Sequence, residues 1–260
     1  MTGWRQALAR DGFACFPVDP DTLRWARAAH REGCAVLSAA ADQIACQGTW
    51  FVGVDALSNG PDGRIAGIPL AGAAITALAP LPALHKAQLS VTFPGYPRPR
   101  DGEGKAAFRY RLLRDGAHVD GLLPIGPDRQ RQLREPHGFI LGLPLVATDP
   151  GASPLVVWRG SHALIRAAFA DVLFPLTESQ RPFADLTAVY ATTRRRVFEL
   201  CERVEIHLPP GAAIVLDPAV LHGIAPWQAG AGAPPEGRMI AYFRPLHPQG
   251  HAGWLGENPT

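Results

Sequence analysis

Apolar residues recur at helical spacing through an Ala- and Arg-rich stretch, residues 23–41, and predict a long helix there. Asp19-Pro20-Asp21 stands just before it and supplies an N-cap with proline in the first turn. Shorter helices are predicted over 4–9, ending at Asp11-Gly12, and over 70–78. Residues 13–17 and 50–54 read as strands, and Asn59-Gly60-Pro61-Asp62-Gly63 as a turn. Near residue 85 the pattern changes. Residues 88–93 have strand propensity, 108–113 alternate aromatic or aliphatic residues with arginine as a half-buried strand would, and 138–146 are almost continuously apolar. Further strands are predicted over 154–158, 204–208, 213–216 and 239–243, with a mostly helical or irregular insertion at 162–200.

No Gly/Ser linker marks the change and no repeat is visible, so the chain reads as one domain, mainly β with flanking helices. Residues 1–85 form an N-terminal helical layer with the first strands, 86–246 a strand-rich core carrying the insertion, and 247–260 a tail. The 27 glycines and 26 prolines favour short strands and loops over a helix bundle. With 47% hydrophobic and 18% charged residues the chain builds a full core and is not disordered.

A net charge of +2 argues against a dedicated nucleic-acid binder. Cys15, Cys34, Cys46 and Cys201 form no CxxC pair and read as reduced thiols. Residues 1–10 have no continuous apolar run of a secretory leader, and 65–81, broken by Gly and Pro, is too short to span a bilayer. A cytoplasmic protein with a small-molecule substrate and no membrane partner is expected.

The chemistry concentrates in His118-Val119-Asp120 and, far downstream, Leu221-His222-Gly223. On an extended segment, residues two apart point the same way, so His118 and Asp120 offer an imidazole and a carboxylate side by side. His222 follows a Pro-Gly turn, a strand and a second turn, and the glycine after it admits a close backbone approach. Two histidines and one carboxylate occupy one face of an octahedral Fe(II) ion and leave the other positions open for a co-substrate and O₂. An arginine beyond the second histidine, Arg238, would hold the far carboxylate of 2-oxoglutarate in a bidentate pair. Arg244, six residues on and on the same strand face, is its rival.

The ensemble resembles the phytanoyl-CoA dioxygenase family of Fe(II)/2-oxoglutarate oxygenases. The matching pieces are Arg10-Asp11-Gly12-Phe13, Ala117-His118-Val119-Asp120-Gly121, Trp158-Arg159-Gly160-Ser161-His162, Leu208-Pro209-Pro210-Gly211, Leu221-His222-Gly223-Ile224-Ala225-Pro226, and Gly237-Arg238-Met239-Ile240. They are spread thinly over most of the chain. The resemblance implies a double-stranded β-helix, a jelly-roll, cupin-like barrel. It also implies Fe(II) held by His118, Asp120 and His222, with 2-oxoglutarate and O₂ as co-substrates. The implied reaction hydroxylates an unactivated C–H bond and releases succinate and CO₂. The interval from His222 to Arg238 is long for this family, and the excess maps to a flexible Gly/Ala/Pro loop at 228–236.

Other residues read less sharply. Tyr110 is expected to line the co-substrate pocket. His162 is expected to be structural, and His137 satisfied or exposed. Arg129, Arg131 and Arg134 read as a solvated loop or as a site for an anionic substrate. The 161–200 insertion is a candidate lid. Two other classes stay open: a cupin-like metal-binding protein without oxygenase activity, and an O₂-independent metal enzyme on the same barrel.

Overall fold

The computed structural model describes residues 3–256. Met1, Thr2 and 257–260, the last part of the expected tail, lie outside the described residues. The chain opens with α1 (Gly3–Asp11) and β1 (Phe13–Phe16), then α2 (Pro20–Ala39). Asp19 caps α2, its carboxylate accepting from the Asp21 amide at 2.8 Å, and a second bond from Ala73 ties the cap to the start of a later helix. A single turn, α3 (Ala45–Gly48), leads to β2 (Trp50–Gly53), α4 (Ala73–Leu78) and β3 (Gln88–Thr92). After α5 (Lys105–Leu113) come a hairpin, β4 (Leu122–Ile125) and β5 (Gln130–Leu133), and then β6 (Ile140–Pro144) and β7 (Leu155–Trp158). Helices α6 (Ser161–Leu173) and α7 (Thr187–Leu200) fill the insertion. Strands β8 (Arg203–Ile206), β9 (Ala213–Leu216), β10 (His222–Ile224) and β11 (Arg238–Phe243) and helix α8 (Gly250–Leu255) close the chain.

Besides the two-stranded β4-β5 hairpin, two antiparallel sheets result, one six-stranded in the order β1-β9-β6-β11-β3-β2, the other β10-β7-β8. Strand alternation decides what each face buries. Leu89, Val91, Leu141, Leu143, Ala213, Val215, Met239, Ala241 and Phe243 point outward into a core shared with α2 and α4. Gly33 of α2 permits that contact, because a Cβ there would lie 2.7 Å from Met239 Sδ. The opposite face carries Ile140, Ile214 and Leu216, which pack on Leu155, Val157 and Ile206 of the smaller sheet. The sheets therefore face each other over an apolar layer. A third core lies behind the smaller sheet, where Trp158 and Val156 meet α6, α7 and α8.

One strand expectation fails here. Residues 108–113 are helical, within α5, with the Arg114 amide bonded to the Tyr110 carbonyl at 2.9 Å. Lys105 to Leu113 contains no β-branched residue and is rich in Ala, Arg and Leu, so helix propensity outweighs a short alternation. The C-terminal segment is a packed helix as far as it is described, with Trp254 buried and stacked on Phe169 at 5.7 Å between centroids. The loop at 228–236 is pinned by backbone bonds from Gln228 to Gly151 and from Asp149 to Gly232, both 2.9 Å. Among the described residues no helix is long and apolar enough to cross a membrane.

Candidate metal centre

The segment after α5 reverses through Asp115 and Gly116, both at positive φ. Its turn is clamped from three sides. The buried Asp115 carboxylate accepts two bonds from Arg203, at 2.7 and 2.8 Å. The Asp115 carbonyl accepts from the Ile224 amide at 2.9 Å. The Ala117 carbonyl accepts from the Tyr110 hydroxyl at 2.7 Å. His118 then pairs with His222 as an isolated antiparallel bridge, amide to carbonyl in both directions at 2.8 and 3.1 Å. Residues paired this way project to the same side, and the two rings lie 4.6 Å apart. Val119 turns the other way into the core behind the smaller sheet, and Asp120 returns to the side of His118.

The donor atoms of His118, Asp120 and His222 all lie within 4.8 Å of one another. His118 Nε2 is 3.3 Å and His222 Nε2 3.8 Å from Asp120 Oδ1. Each imidazole is tied back by its other nitrogen: His118 Nδ1 to the Gly116 carbonyl at 3.1 Å, His222 Nδ1 to the Val220 carbonyl at 3.0 Å. A carbonyl only accepts, so Nδ1 carries a proton in each ring and both Nε2 atoms face the shared carboxylate. This is the outer arrangement that metal-ligating histidines use. The donor set of two imidazole nitrogens and one carboxylate oxygen fits a divalent transition metal with open positions.

Electrostatics agree. Burial and the neighbouring His118 push His222 down to about 4, so it is neutral at pH 7. Partial burial also opposes charge on His118, whose side chain stays half exposed, but the hydrogen bond and charge of Asp120 outweigh it and the net shift is upward. For Asp120 burial is again the opposing effect. The bond from His118 and the charges of His222, His118 and Arg244 hold its carboxyl well below the usual range. A metal ion must therefore displace the proton shared by His118 and Asp120. Metal affinity is expected to fall roughly tenfold per pH unit as pH drops below the raised His118 value, where each ion bound releases a proton. Calorimetry in buffers of differing ionisation enthalpy counts that proton across a pH series, and a count that does not rise as pH falls would overturn the assignment.

The donors open into a cavity of about 270 Å³ between the sheets, walled by Trp50, Val52, Ile140 and Leu155 with Gln88 and Tyr242. A wider groove of about 540 Å³ continues from it past His118. That side is the accessible one, since the His118 side chain is 53% exposed and that of His222 only 9%.

The two arginines at the opposite ends of β11 differ in their partners. Arg244 lies 3.5 Å from Asp120 Oδ2 and donates to Gln88 Oε1 at 2.6 Å. Arg238 is buried, and its guanidinium is bonded to the Tyr242 hydroxyl, lies near Tyr96 and is paired with no carboxylate among the described residues. Burial pushes the Arg238 pKa down and the Tyr242 pKa up. Arg238 lines a small pocket of about 20 Å³ that shares Leu155 and Tyr242 with the metal cavity.

Tyr110 lies on α5, where its hydroxyl is engaged by Ala117 and its ring is covered by Arg194 at 4.6 Å; it borders the groove. His162 is buried with Nε2 3.1 Å from the Ala9 carbonyl, away from the cavity. His137 is buried with Nε2 3.5 Å from the Glu135 carboxylate, outside the donor cluster. The arginine run is part of the β4–β5 hairpin. Arg134 covers the Phe183 ring at 4.6 Å, and Arg131 reaches the groove. No residue of 161–200 borders the cavity or the groove. That insertion braces the ligand segment from behind, with the Tyr190 hydroxyl against the Val119 backbone. Trp50, expected from sequence to be core or cavity wall, lines the cavity, whereas Gln88, Ser90 and Tyr242 were not singled out as pocket residues. Their signal is strand alternation, which sets polar Gln88 and Ser90 opposite apolar Leu89 and Val91.

No family model and no curated protein matches the chain. Solved structures do. The whole chain aligns with 91% of SnoK, a non-haem α-ketoglutarate-dependent carbocyclase from nogalamycin biosynthesis, at 14% identity and TM-score 0.48. It aligns over its full length with 85% of EctD from S. alaskensis with bound Fe, at 17% identity and TM-score 0.47. It aligns over 99% of its length with 89% of the epimerase SnoN, crystallised with Fe³⁺, α-ketoglutarate and nogalamycin RO, at 14% identity and TM-score 0.44. Similarity at this level carries no argument about chemistry, which rests on the donor geometry.

Proposed function

We propose that the chain is a non-haem Fe(II)/2-oxoglutarate-dependent oxygenase of the phytanoyl-CoA dioxygenase type, built on a double-stranded β-helix. The carrying observation is the three-donor cluster with both Nδ1 atoms tied back, opening on a cavity that adjoins a buried arginine without an anionic partner. His118, Asp120 and His222 hold Fe(II), and Arg238 holds the distal carboxylate of 2-oxoglutarate with the Tyr242 hydroxyl beside it. Bound Fe(II) and 2-oxoglutarate supply the oxidising chemistry, in which O₂ is consumed, succinate and CO₂ leave, and a substrate C–H becomes C–OH.

The protein's own part is placement and exclusion. Trp50, Val52, Ile140 and Leu155 keep water from the open coordination positions. Asp120 fills the position a halide would need, so the reading is hydroxylation. Arg244 holds Asp120 in place and stays paired with Gln88. A small molecule with an anionic group enters by the groove, where Arg131 reaches in and Arg100 covers the Trp50 ring at 4.5 Å.

Anaerobic titration with Fe(II) and then 2-oxoglutarate tests the reading through the visible metal-to-ligand charge-transfer band of the chelate. Arg238→Ala is expected to weaken 2-oxoglutarate binding roughly 100-fold, about 2–3 kcal/mol for a charge-assisted pair, while leaving Fe(II) affinity unchanged. Tight metal binding with no band would reject 2-oxoglutarate and favour a cupin-like metal-binding protein or an O₂-independent metal enzyme.

A further inference from the structure

A second donor cluster lies on the other side of the six-stranded sheet. His30 and Cys34 are four apart on α2 and so share one helix face. Glu236, from the segment just before β11, reaches the same point. His30 Nε2 is 2.9 Å from Glu236 Oε1 and 3.4 Å from Cys34 Sγ, and the three donor atoms all lie within 4.8 Å. The His30 and Glu236 side chains are 29% and 26% exposed, so an ion has access from solvent.

We infer that His30, Cys34 and Glu236 form a second metal site, for Zn(II), that fastens the segment before Arg238 to helix α2. Thiolate, imidazole and carboxylate are the ligand types zinc combines in tetrahedral sites. With bonds of about 2.3 Å to sulfur and about 2.0 Å to nitrogen and oxygen, a tetrahedron needs sulfur–nitrogen and nitrogen–oxygen separations of roughly 3.6 and 3.3 Å. The observed separations need to open by only a few tenths of an ångström. Zn(II) replaces the Cys34 thiol proton, which passes to solvent. Thiolate and carboxylate then balance the ion's charge, and water takes the fourth position.

The sulfur also separates this site from the first. A soft thiolate draws zinc, whereas the donors at His222 include no sulfur. Glu236 is followed by Gly237, where a Cβ would lie 2.4 Å from the Thr92 carbonyl, and then by Arg238, paired with Thr92. The site therefore sits at the root of the strand that carries Arg238. It does not depend on the oxygenase reading.

Co(II) is the probe, because a thiolate-to-cobalt charge-transfer band in the near ultraviolet arises only where a cysteine coordinates. The titration is run on the wild-type chain and on His222→Ala, with Cys34→Ser, His30→Ala and Glu236→Gln compared in both. Expected are one equivalent of thiolate band in wild type and in His222→Ala, and its loss in Cys34→Ser. Co(II) affinity at this site, with Zn(II) displacing the probe, should fall roughly 100-fold in His30→Ala and at least tenfold in Glu236→Gln. Circular dichroism without metal verifies that each variant is folded. No thiolate band in the folded wild type under excess Co(II), or a band that survives Cys34→Ser, would overturn the site and leave a hydrogen-bonded triad only. Neither result would touch the charge-transfer test at His222.

Discussion

Replacing His222 by alanine is expected to lower Fe(II) affinity by at least roughly 100-fold and to abolish 2-oxoglutarate turnover, with stability changed by no more than about 1 kcal/mol. The side chain is one of three donors, and the two that remain leave a cation weakly held. The backbone is a separate matter. The bridge to His118 uses the His222 amide and carbonyl, which alanine keeps. What the fold loses is the bond to the Val220 carbonyl at 3.0 Å and the ring's contacts with His118 and Asp120. The removed imidazole is also one that burial and His118 hold near pKa 4, so little native-state charge goes with it. Anaerobic calorimetry with Fe(II) and urea unfolding of the metal-free protein read the two effects independently. Retained tight iron binding in the folded variant would remove His222 from the ligand set.

Gly223→Ala is expected to do the reverse, removing metal binding through the fold. A Cβ at residue 223 would lie 2.2 Å from the Asp115 carbonyl oxygen, 3.1 Å from its carbon and 3.2 Å from the Ala117 nitrogen. All three are backbone atoms in a turn held by Arg203, Tyr110 and Ile224, so no flexible side chain is there to yield. The turn and β10 must separate, which breaks the Ile224 amide bond and pulls His118 from His222. Overpacking at about 1–3 kcal/mol plus an unmet buried bond at about 1–3 kcal/mol predicts destabilisation of roughly 2–6 kcal/mol, and iron affinity falls with it. Gly104→Ala, where a Cβ meets nothing within 4 Å, is the control and is expected to be close to neutral. Unfolding midpoints compared across the three chains decide the matter, and a Gly223→Ala protein as stable as wild type would contradict the close approach.

The glycine after His222 was readable as a place of close approach, but what approaches it was not. Asp115 is 108 residues away in the chain, counting from Gly223, and reaches it only because α5 ends in a turn clamped to β8 by Arg203. The arginine run at 129–134 looked like a solvated loop because its charges dominate a short window. In the fold it is a hairpin whose Arg134 rests on an aromatic ring from the insertion, and that partner is invisible to local pattern. The insertion itself looked like a lid because a long helical stretch between strands has no local reason to choose a side. Burial of Ile165, Phe169, Tyr190 and Val197 behind the smaller sheet made it a brace.

What the chain determined by itself was everything set by neighbours two to four residues apart. The cap and length of α2, the facing of His118 and Asp120 on one side, and the polar inner face of β3 follow from backbone periodicity and side-chain size. Tertiary structure alone decided what depends on strand pairing across long separations. It brought His222 beside His118, tied both imidazoles by Nδ1, left Arg238 without an anionic partner while giving Arg244 Asp120 and Gln88, and set Glu236 against His30 and Cys34. The physical reason is that alternation and helical repeat orient a side chain relative to its own backbone. Which backbones then meet is settled by burying the two apolar sheet faces together, a cooperative choice that no short window of sequence contains.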